Sequence, residues 1–190
     1  VVDDGSTDDT DDVVQEIARS ASIPIDFVAN QASRGAAARR NEGVDRSEEE
    51  VVAFLDSDDA WLPRHLKVSL ALLAQGADMT LSGFEIHGPH GVRTFRWPAV
   101  PEIPIERPLD LIVRRRLDAR TSTFVVSRDA FDRVRFDDAL AKHQDWDFVA
   151  RAAGRLRVHD TSDVTVAIHE THDGRMSDAV DHDAFERFYG

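Results

Sequence analysis

The chain has 190 residues, a formal net charge of −13 and no cysteine. This length suits one sizeable core, so we expect a single domain. The negative charge and the lack of basic stretches with interleaved aromatic residues argue against nucleic acid as a partner. Without cysteine there is no disulfide or thiolate metal site, and no apolar run approaches the roughly 18 residues of a transmembrane segment. We therefore expect a cytoplasmic protein.

Predicted strands and helices alternate in the first part of the chain. In order they are the end of a strand at 1–2, a helix over 8–20, a strand at 25–29, a helix from about 34 to 45, a strand at 51–55 and a helix opened by Pro63. The strand at 51–55 is apolar without alternation, which is typical of a strand buried on both faces. This order predicts the α/β class, with a parallel sheet covered by helices on both faces.

The second part of the chain has a less regular pattern. The predicted elements are strands at 79–86 and 94–97, a proline-rich connection through 98–108, a strand at 123–126, helices at 128–134 and 145–153, and an alternating strand that carries Val164, Val166 and Ile168. This half is therefore expected to contain mixed strands.

Acidic residues follow two of the predicted strands. Asp3 and Asp4 end the first strand, and Asp56, Asp58 and Asp59 follow the buried strand. Ligands of open α/β sheets bind at the carboxyl ends of the strands. Crowded carboxylates repel one another, and oxygen ligands favour Mg²⁺ or Mn²⁺, so the pattern predicts a divalent metal with a diphosphate ligand. The alternative is that these residues only form turns and cap helices.

One arginine of the second helix is predicted to face inward. A single helical face carries Ala37, Arg40, Asn41 and Val44. Arg40 therefore points inward and Arg39 does not. An inward arginine beside an acidic cleft holds the nucleotide, pairs with Asp3 or Asp4, or does both.

Two residues late in the chain are further candidates. Asp145 begins a helix whose apolar spacing predicts packing against the core, although aspartate is also a common helix cap. His169 ends the last predicted strand, where its side chain can reach the edge that carries the acidic loops. We treat it as a candidate metal or phosphate ligand, with plain surface exposure as the alternative.

Taken together, four segments resemble the family 2 glycosyltransferases of GT-A fold. They are VVDDGSTDDT, SRGAAARRNEG, VVAFLDSDDAWLP and RFDDALAKHQDWDFVARAAG, and the resemblance runs from residue 1 to about residue 177. It implies a Rossmann-like, mostly parallel sheet with helices on both faces and mixed strands in the second half. It also implies a single domain that lacks its first strand and helix, with a nucleotide-binding half at 1–75 and an acceptor and catalytic half at 76–190.

The resemblance assigns roles to the residues of the first half. Asp4 corresponds to the residue that reads the nucleotide base, with Asp3 in support, and Arg40 corresponds to the arginine that lines that pocket. Asp56 and Asp58 match the Asp-x-Asp signature, which binds ribose and metal.

For the last residue of the acidic repeat and for the second half of the chain, the resemblance implies roles in metal binding and catalysis. Asp59 shares metal binding if the register of the acidic repeat shifts by one residue, with Asp58 as the first choice. His169 matches a histidine found after the last core strand, and Asp145 matches the base. Gln144 stands where the family usually has glutamate.

The implied function is inverting transfer of a sugar from a UDP- or dTDP-sugar to an acceptor hydroxyl, assisted by Mn²⁺ or Mg²⁺. The acceptor would be a glycan, a lipid-linked sugar or a protein, in bacterial polysaccharide or cell-surface glycan synthesis, with peripheral association at the inner face of the membrane as one option. The missing start normally forms a wall of the nucleotide pocket, so we expect this segment alone to bind donor poorly. The alternatives are a nucleotidyltransferase and a non-catalytic nucleotide-sugar-binding domain.

Overall fold

The computed structural model describes residues 1–96 and 118–170. The elements in these ranges are β1 (Val2–Asp3), α1 (Thr10–Ser20), β2 (Val28–Ala29), α2 (Ala36–Asp45), β3 (Val51–Ala53), β4 (Asp59–Trp61), α3 (His65–Ala74), β5 (Met79–Gly88), β6 (Gly91–Phe95), a 3₁₀ turn (Thr121–Thr123), β7 (Val125–Ser127), α4 (Arg128–Val134), α5 (Gln144–Ala153) and β8 (Val158–His169). The predicted proline-rich connection lies outside the described residues.

The described strands form one parallel pair and one mixed sheet. β1 and β2 pair in parallel, and the larger sheet has the order β3-β7-β5-β8-β4 with β6 added on β5. In that sheet β5 and β8 are parallel, whereas the other pairs are antiparallel. The strand directions therefore become mixed already at β3, earlier than the sequence pattern predicts. The reason is that β7, from the second half of the chain, pairs with β3, and an apolar run does not reveal the direction of its partner.

Aromatic side chains form the main core between this sheet and helices α2, α4 and α5. Its aromatic members are Phe54, Phe124, Phe131, Phe136 and Phe148. The rings of Phe136 and Phe148 stack with their centroids 4.4 Å apart. Because Phe148 belongs to α5, this packing fixes the helix that carries Asp145.

Gly83 marks a close crossing of three strands. It lies in β5, where the pairing with β8 is irregular on both sides of this residue. A Cβ atom at Gly83 would stand 2.8 Å from the carbonyl oxygen of Phe95 and 3.1 Å from that of Asp163. Only glycine therefore allows β6 and β8 to approach β5 this closely.

Candidate functional site

The Asp4 carboxylate ties the loop after β1 to the start of α2. One oxygen accepts bonds from the Arg34 N–H at 2.7 Å and Arg39 Nε at 2.6 Å. The other accepts from the Ser33 hydroxyl at 2.6 Å and the Gly35 N–H at 2.9 Å. Partial burial acts to raise the pKa of Asp4, but these donors outweigh it and hold the pKa far below its ordinary value. Asp4 is therefore ionised and anchors this loop.

Asp3 organises the loop immediately after β1. Its carboxylate accepts bonds from the N–H groups of Gly5 and Ser6, both at 2.9 Å, and from the Ser6 hydroxyl. The bonds from Ser6, the side-chain bond first, lower the pKa of Asp3. A local structural role fits these contacts, and the assignment of Asp3 and Asp4 to nucleotide binding stays a prediction.

The expectation that Arg39 points away from the interior is wrong. Its side chain is only 7% exposed, and it pairs with both Asp4 and Glu42, the latter at 2.7 Å. The prediction followed the direction of Cβ around the helix, whereas the long arginine stem reaches past the helix surface to bring its guanidinium onto Asp4. The positive φ of Gly35, 88°, helps to place the first turn of α2 against this loop.

Arg39→Met should reduce the stability of the fold. The change removes a buried guanidinium that donates to the partly exposed carboxylates of Asp4 and Glu42, so we expect the free energy of unfolding to fall by about 2–3 kcal/mol. Urea denaturation followed by circular dichroism measures this change. The matched control is Arg46→Met, since Arg46 also binds Glu42 but its side chain is 51% exposed, and its loss should change stability by less than about 0.5 kcal/mol. Equal effects of the two substitutions would contradict the structural role of Arg39.

The acidic turn, residues 56–59, connects β3 to β4. Its ends are joined by a bond from the Asp59 N–H to the Asp56 carbonyl at 3.1 Å. The Ser122 hydroxyl also donates to Asp59 at 2.6 Å and accepts from the Asp56 N–H at 3.0 Å. Ser57 and Asp58 between these ends are exposed. Burial raises the pKa of Asp59, and the charges of the other two aspartates add to the increase.

Arg40 connects the acidic turn to the start of α5. Its guanidinium donates to Asp56 at 2.6 Å and to the Gln144 side-chain oxygen at 3.1 Å. The inward orientation predicted for Arg40 is confirmed, since its side chain is 17% exposed. Its partner is Asp56, however, rather than Asp3 or Asp4. The preceding residue of α2, Arg39, pairs with Asp4 instead. Through these two arginines, α2 is linked to the loop after β1, to the acidic turn and to α5.

Asp145 lies in the first turn of α5, beside this connection. Its carboxylate accepts a bond from the Trp146 N–H at 2.9 Å. Burial raises the pKa of Asp145 to about 6, although the positive charges of Arg120 and Arg40 oppose the increase. Arg120 itself is paired with Asp118 at 2.9 Å. An aspartate with this pKa can accept a proton near neutral pH.

The residues proposed as metal ligands lie near the pairing of β4 with β8. Asp59 pairs with Ile168 in the β4–β8 register, which brings the Nδ1 atom of His169 to 3.0 Å from the Asp58 carbonyl oxygen. A carbonyl only accepts, so Nδ1 carries the proton of this bond. Within residues 1–96 and 118–170, no three His, Asp or Glu side chains are grouped closely enough to hold a metal unaided. The metal site therefore stays a prediction. It depends on the fact that Mg²⁺ commonly takes only one or two protein carboxylates, which Asp58 and Asp59 could supply, and completes its coordination with water and substrate phosphates.

Sequence reasoning missed three features of this site. β4 has only three residues, too few for a recognisable strand pattern, although its pairing with β8 places the acidic turn. The helical periodicity predicts the wrong orientation for Arg39. Ser122 belongs to no motif, and no signal in the sequence places it near the acidic turn.

The fold is that of the GT-A glycosyltransferases. The chain superposes over 98% of its length on 54% of a chain of S. aureus TarS (residues 1–349) crystallised with UDP-GlcNAc, with a TM-score of 0.77 and 22% sequence identity. A complex of the same protein with UDP matches with a TM-score of 0.71, also at 22% identity, over 90% of this chain and 50% of that chain. This similarity confirms the α/β fold class expected from the sequence.

The sequence model described as Glycosyl transferase family 2 matches residues 1–135, and the chain belongs to this family. It is 28% identical over 163 residues to the amylovoran biosynthesis glycosyltransferase AmsB of Erwinia amylovora, covering 80% of this chain and 52% of that protein. It is 31% identical over 103 residues to the putative teichuronic acid biosynthesis glycosyltransferase TuaG of Bacillus subtilis, covering 54% and 40% of the two chains.

The chain spans about half the length of AmsB and of the superposed TarS chain. The division into a nucleotide-binding half and an acceptor half stays a prediction. In residues 1–96 and 118–170, none of the helices has the length and apolar character that crossing a membrane requires.

Proposed function

We propose that the protein is an inverting glycosyltransferase that moves a sugar from a nucleoside diphosphate donor to an acceptor hydroxyl, with Mn²⁺ or Mg²⁺ bound at the acidic turn. The observation that carries this proposal is the placement of Asp145. Its carboxylate has a pKa of about 6 and lies next to Gln144, which Arg40 links to Asp56 of the turn. The same contacts therefore hold both the proposed base, Asp145, and the acidic turn that is the candidate binding site for the sugar nucleotide.

Asp145 would act as the base in a single displacement. It accepts the proton of the acceptor hydroxyl while the hydroxyl oxygen forms a bond to the anomeric carbon. On the opposite face, the bond between that carbon and the phosphate oxygen breaks, and its electron pair leaves with the nucleoside diphosphate. The configuration inverts because attack and departure occur on opposite faces. A bound divalent ion would neutralise charge on the diphosphate.

Asp58, Asp59 and His169 would hold this ion, and Asp56 would bind the ribose. Arg40 binds the Asp56 carboxylate and Ser122 binds the Asp56 N–H. The carboxylate lone pairs that these bonds leave free therefore point in a fixed direction. Asp4 and Asp3 shape the loop expected at the nucleotide base, and Arg40 limits the pocket on the side of α2. Asp3 and Asp4 lie at the end of β1, and Arg40 lies in α2. Asp56 and Asp58 lie in the acidic turn, whose ends are bonded to each other and to Ser122.

The relatives support a UDP-linked donor and a lipid-linked acceptor. The TarS structures contain UDP-GlcNAc or UDP. A 62-residue segment that covers 33% of this chain is 42% identical to 24% of WfaP of Escherichia coli, a UDP-Glc:alpha-D-GlcNAc-diphosphoundecaprenol beta-1,3-glucosyltransferase. We therefore propose a UDP-sugar donor and a role in bacterial surface polysaccharide synthesis, at the inner face of the membrane.

A donor panel tests the proposed reaction. The full-length protein is incubated with UDP- and dTDP-sugars, Mn²⁺ and lipid-linked or glycan acceptors, and released nucleotide and new glycoside are measured. We expect acceptor-dependent release of a nucleoside diphosphate and a product of inverted anomeric configuration. Release of pyrophosphate would instead indicate a nucleotidyltransferase. Donor binding without turnover under all conditions would indicate a non-catalytic domain.

The pH dependence of transfer should report the pKa of Asp145. Burial raises this pKa to about 6, so the carboxylate is protonated and inactive as a base below that pH. We expect kcat/KM to rise about tenfold per pH unit below pH 6 and to level off above it, at saturating Mn²⁺. The exposed Asp138→Asn variant is the control and should leave this profile unchanged. A profile that levels off near pH 4 would contradict the role of Asp145.

A further inference from the structure

Ser122 lies beneath the acidic turn and is completely buried, with 0% of its surface exposed. Its hydroxyl contacts both ends of the turn, since it donates to the Asp59 carboxylate at 2.6 Å and accepts from the Asp56 N–H at 3.0 Å. We propose that Ser122 is a positioning residue for the donor and metal site, and that it acts by holding Asp56 and Asp59 at a fixed separation. This inference rests on the proposed transferase function.

The chemistry of the hydroxyl allows one arrangement of these bonds. A serine hydroxyl has one proton to donate and two lone pairs. The Asp56 N–H is a donor, so it must occupy a lone pair, and the proton is left for Asp59. The Asp59 oxygen that receives it therefore acts as an acceptor. Ser122 thus orients the Asp59 carboxylate as well as restraining it.

The backbone around Ser122 is fixed from several sides. The Ser122 carbonyl accepts a bond from the indole nitrogen of Trp61 at 2.9 Å. Trp61 belongs to β4 and stacks on the buried His65 ring, with centroids 4.9 Å apart. The Phe54 N–H at the end of β3 donates to the Phe124 carbonyl at 3.2 Å. The 3₁₀ turn is therefore attached to the strands on both sides of the acidic turn.

The exposed apex of the acidic turn depends on this support. Ser57 and Asp58 are exposed and project from a turn whose ends are tied to Ser122 and to each other. If the hydroxyl is removed, the Asp56 N–H and one Asp59 oxygen lose a partner inside the protein. The two ends are then joined only by the bond from the Asp59 N–H to the Asp56 carbonyl, so their separation is less firmly held and the apex that carries Asp58 can shift with them. Outer-shell groups that orient metal ligands typically contribute 10- to 100-fold to metal affinity.

The test uses Ser122→Ala in the full-length protein, with Ser69→Ala as the matched control. Ser69 is also 0% exposed, and its hydroxyl has no hydrogen-bond partner within the described ranges. Binding of Mn²⁺ in the presence of UDP, without acceptor, is measured from the electron paramagnetic resonance signal of free Mn²⁺. We expect Ser122→Ala to weaken Mn²⁺ binding about 10- to 100-fold and Ser69→Ala to leave it unchanged. Wild-type Mn²⁺ affinity in Ser122→Ala would overturn the inference.

Kinetics and a second variant separate positioning from a general loss of structure. Ser122→Ala should raise KM for the donor more than it lowers kcat, because the base Asp145 lies on another element. Ser122→Thr keeps the hydroxyl and should recover most of the Mn²⁺ affinity. A folded Ser122→Thr that binds Mn²⁺ as weakly as Ser122→Ala would refute the inference. If the wild-type protein itself neither binds Mn²⁺ nor transfers sugar, the proposed function fails instead.

Discussion

Asp145→Asn is expected to lower kcat about a thousandfold without unfolding the protein. The amide keeps the size of the side chain and can still accept the bond from the Trp146 N–H, but it cannot take up a proton. A general base typically contributes 10²–10⁴-fold to the rate, and the loss should appear in kcat because the hydroxyl is deprotonated only during reaction. Steady-state kinetics at pH 7.5 with saturating donor and Mn²⁺ measures the effect.

The same substitution should make the fold more stable. Burial raises the pKa of Asp145 to about 6 from its ordinary value of 3.8, so the folded state disfavours the ionised carboxylate at neutral pH. Replacing it with a neutral amide should raise the free energy of unfolding by up to about 3 kcal/mol at pH 7. The gain should shrink as pH falls through 6 and vanish below about pH 4, where both states bind the proton.

A neighbouring aspartate provides the control for Asp145. Asp147 lies two residues further along α5 and binds Arg151, with one of these bonds at 2.8 Å. Asp147→Asn should therefore lower stability by about 1 kcal/mol and leave kcat within about threefold of wild type. Retention of more than a tenth of wild-type kcat by Asp145→Asn would show that another group takes the proton.

Asp58→Asn should abolish the response of the enzyme to Mn²⁺ and lower kcat/KM by about 10²–10³-fold. Asp58 lies at the exposed apex of the acidic turn, so its carboxylate is available to an ion between the protein and the diphosphate. Loss of this ligand removes stabilisation of the departing diphosphate, which is worth several kcal/mol. The measurement is transferase activity as a function of Mn²⁺ concentration, at saturating donor.

The control for Asp58 is the residue beside it. Ser57→Ala changes the same exposed apex and should retain the Mn²⁺ response. Both variants should melt within about 2 °C of wild type, because substitutions of exposed residues usually change stability by less than about 0.5 kcal/mol. If Asp59→Asn abolishes the metal response and Asp58→Asn does not, Asp59 is the principal ligand and the first choice made from the sequence is wrong.

Much of the local structure could be predicted from the sequence. The helical pattern at 8–20 corresponds to α1 at Thr10–Ser20, and the patterns at 128–134 and 145–153 correspond to α4 and α5. Short-range periodicity and the residues at helix ends carry this information. The position of the candidate residues at strand and helix ends was predicted for the same reason.

Features that depend on distant partners could not be predicted in this way. The pairing of β3 with β7 joins residues more than 70 positions apart, and nothing in either strand specifies the other. The partner of Arg40 depends on the reach of a flexible side chain and on where β3 ends. Ser122 gains its importance from contacts with residues 56 and 59, more than 60 positions away. Such contacts are properties of the assembled sheet.

The position of His169, the proposed metal ligand at the end of β8, depends on a distant glycine, Gly83. The irregular pairing at Gly83 sets which residues of β8 lie opposite those of β5 further along, up to the pair His87 and His169. At about 3.3 Å per residue, His169 is roughly 16 Å along β8 from the residue opposite Gly83. A shift of one residue at the crossing would turn the histidine to the other face of the sheet. The glycine thus fixes the alignment of β8, and with it the face of the sheet on which the distant imidazole stands beside the acidic turn.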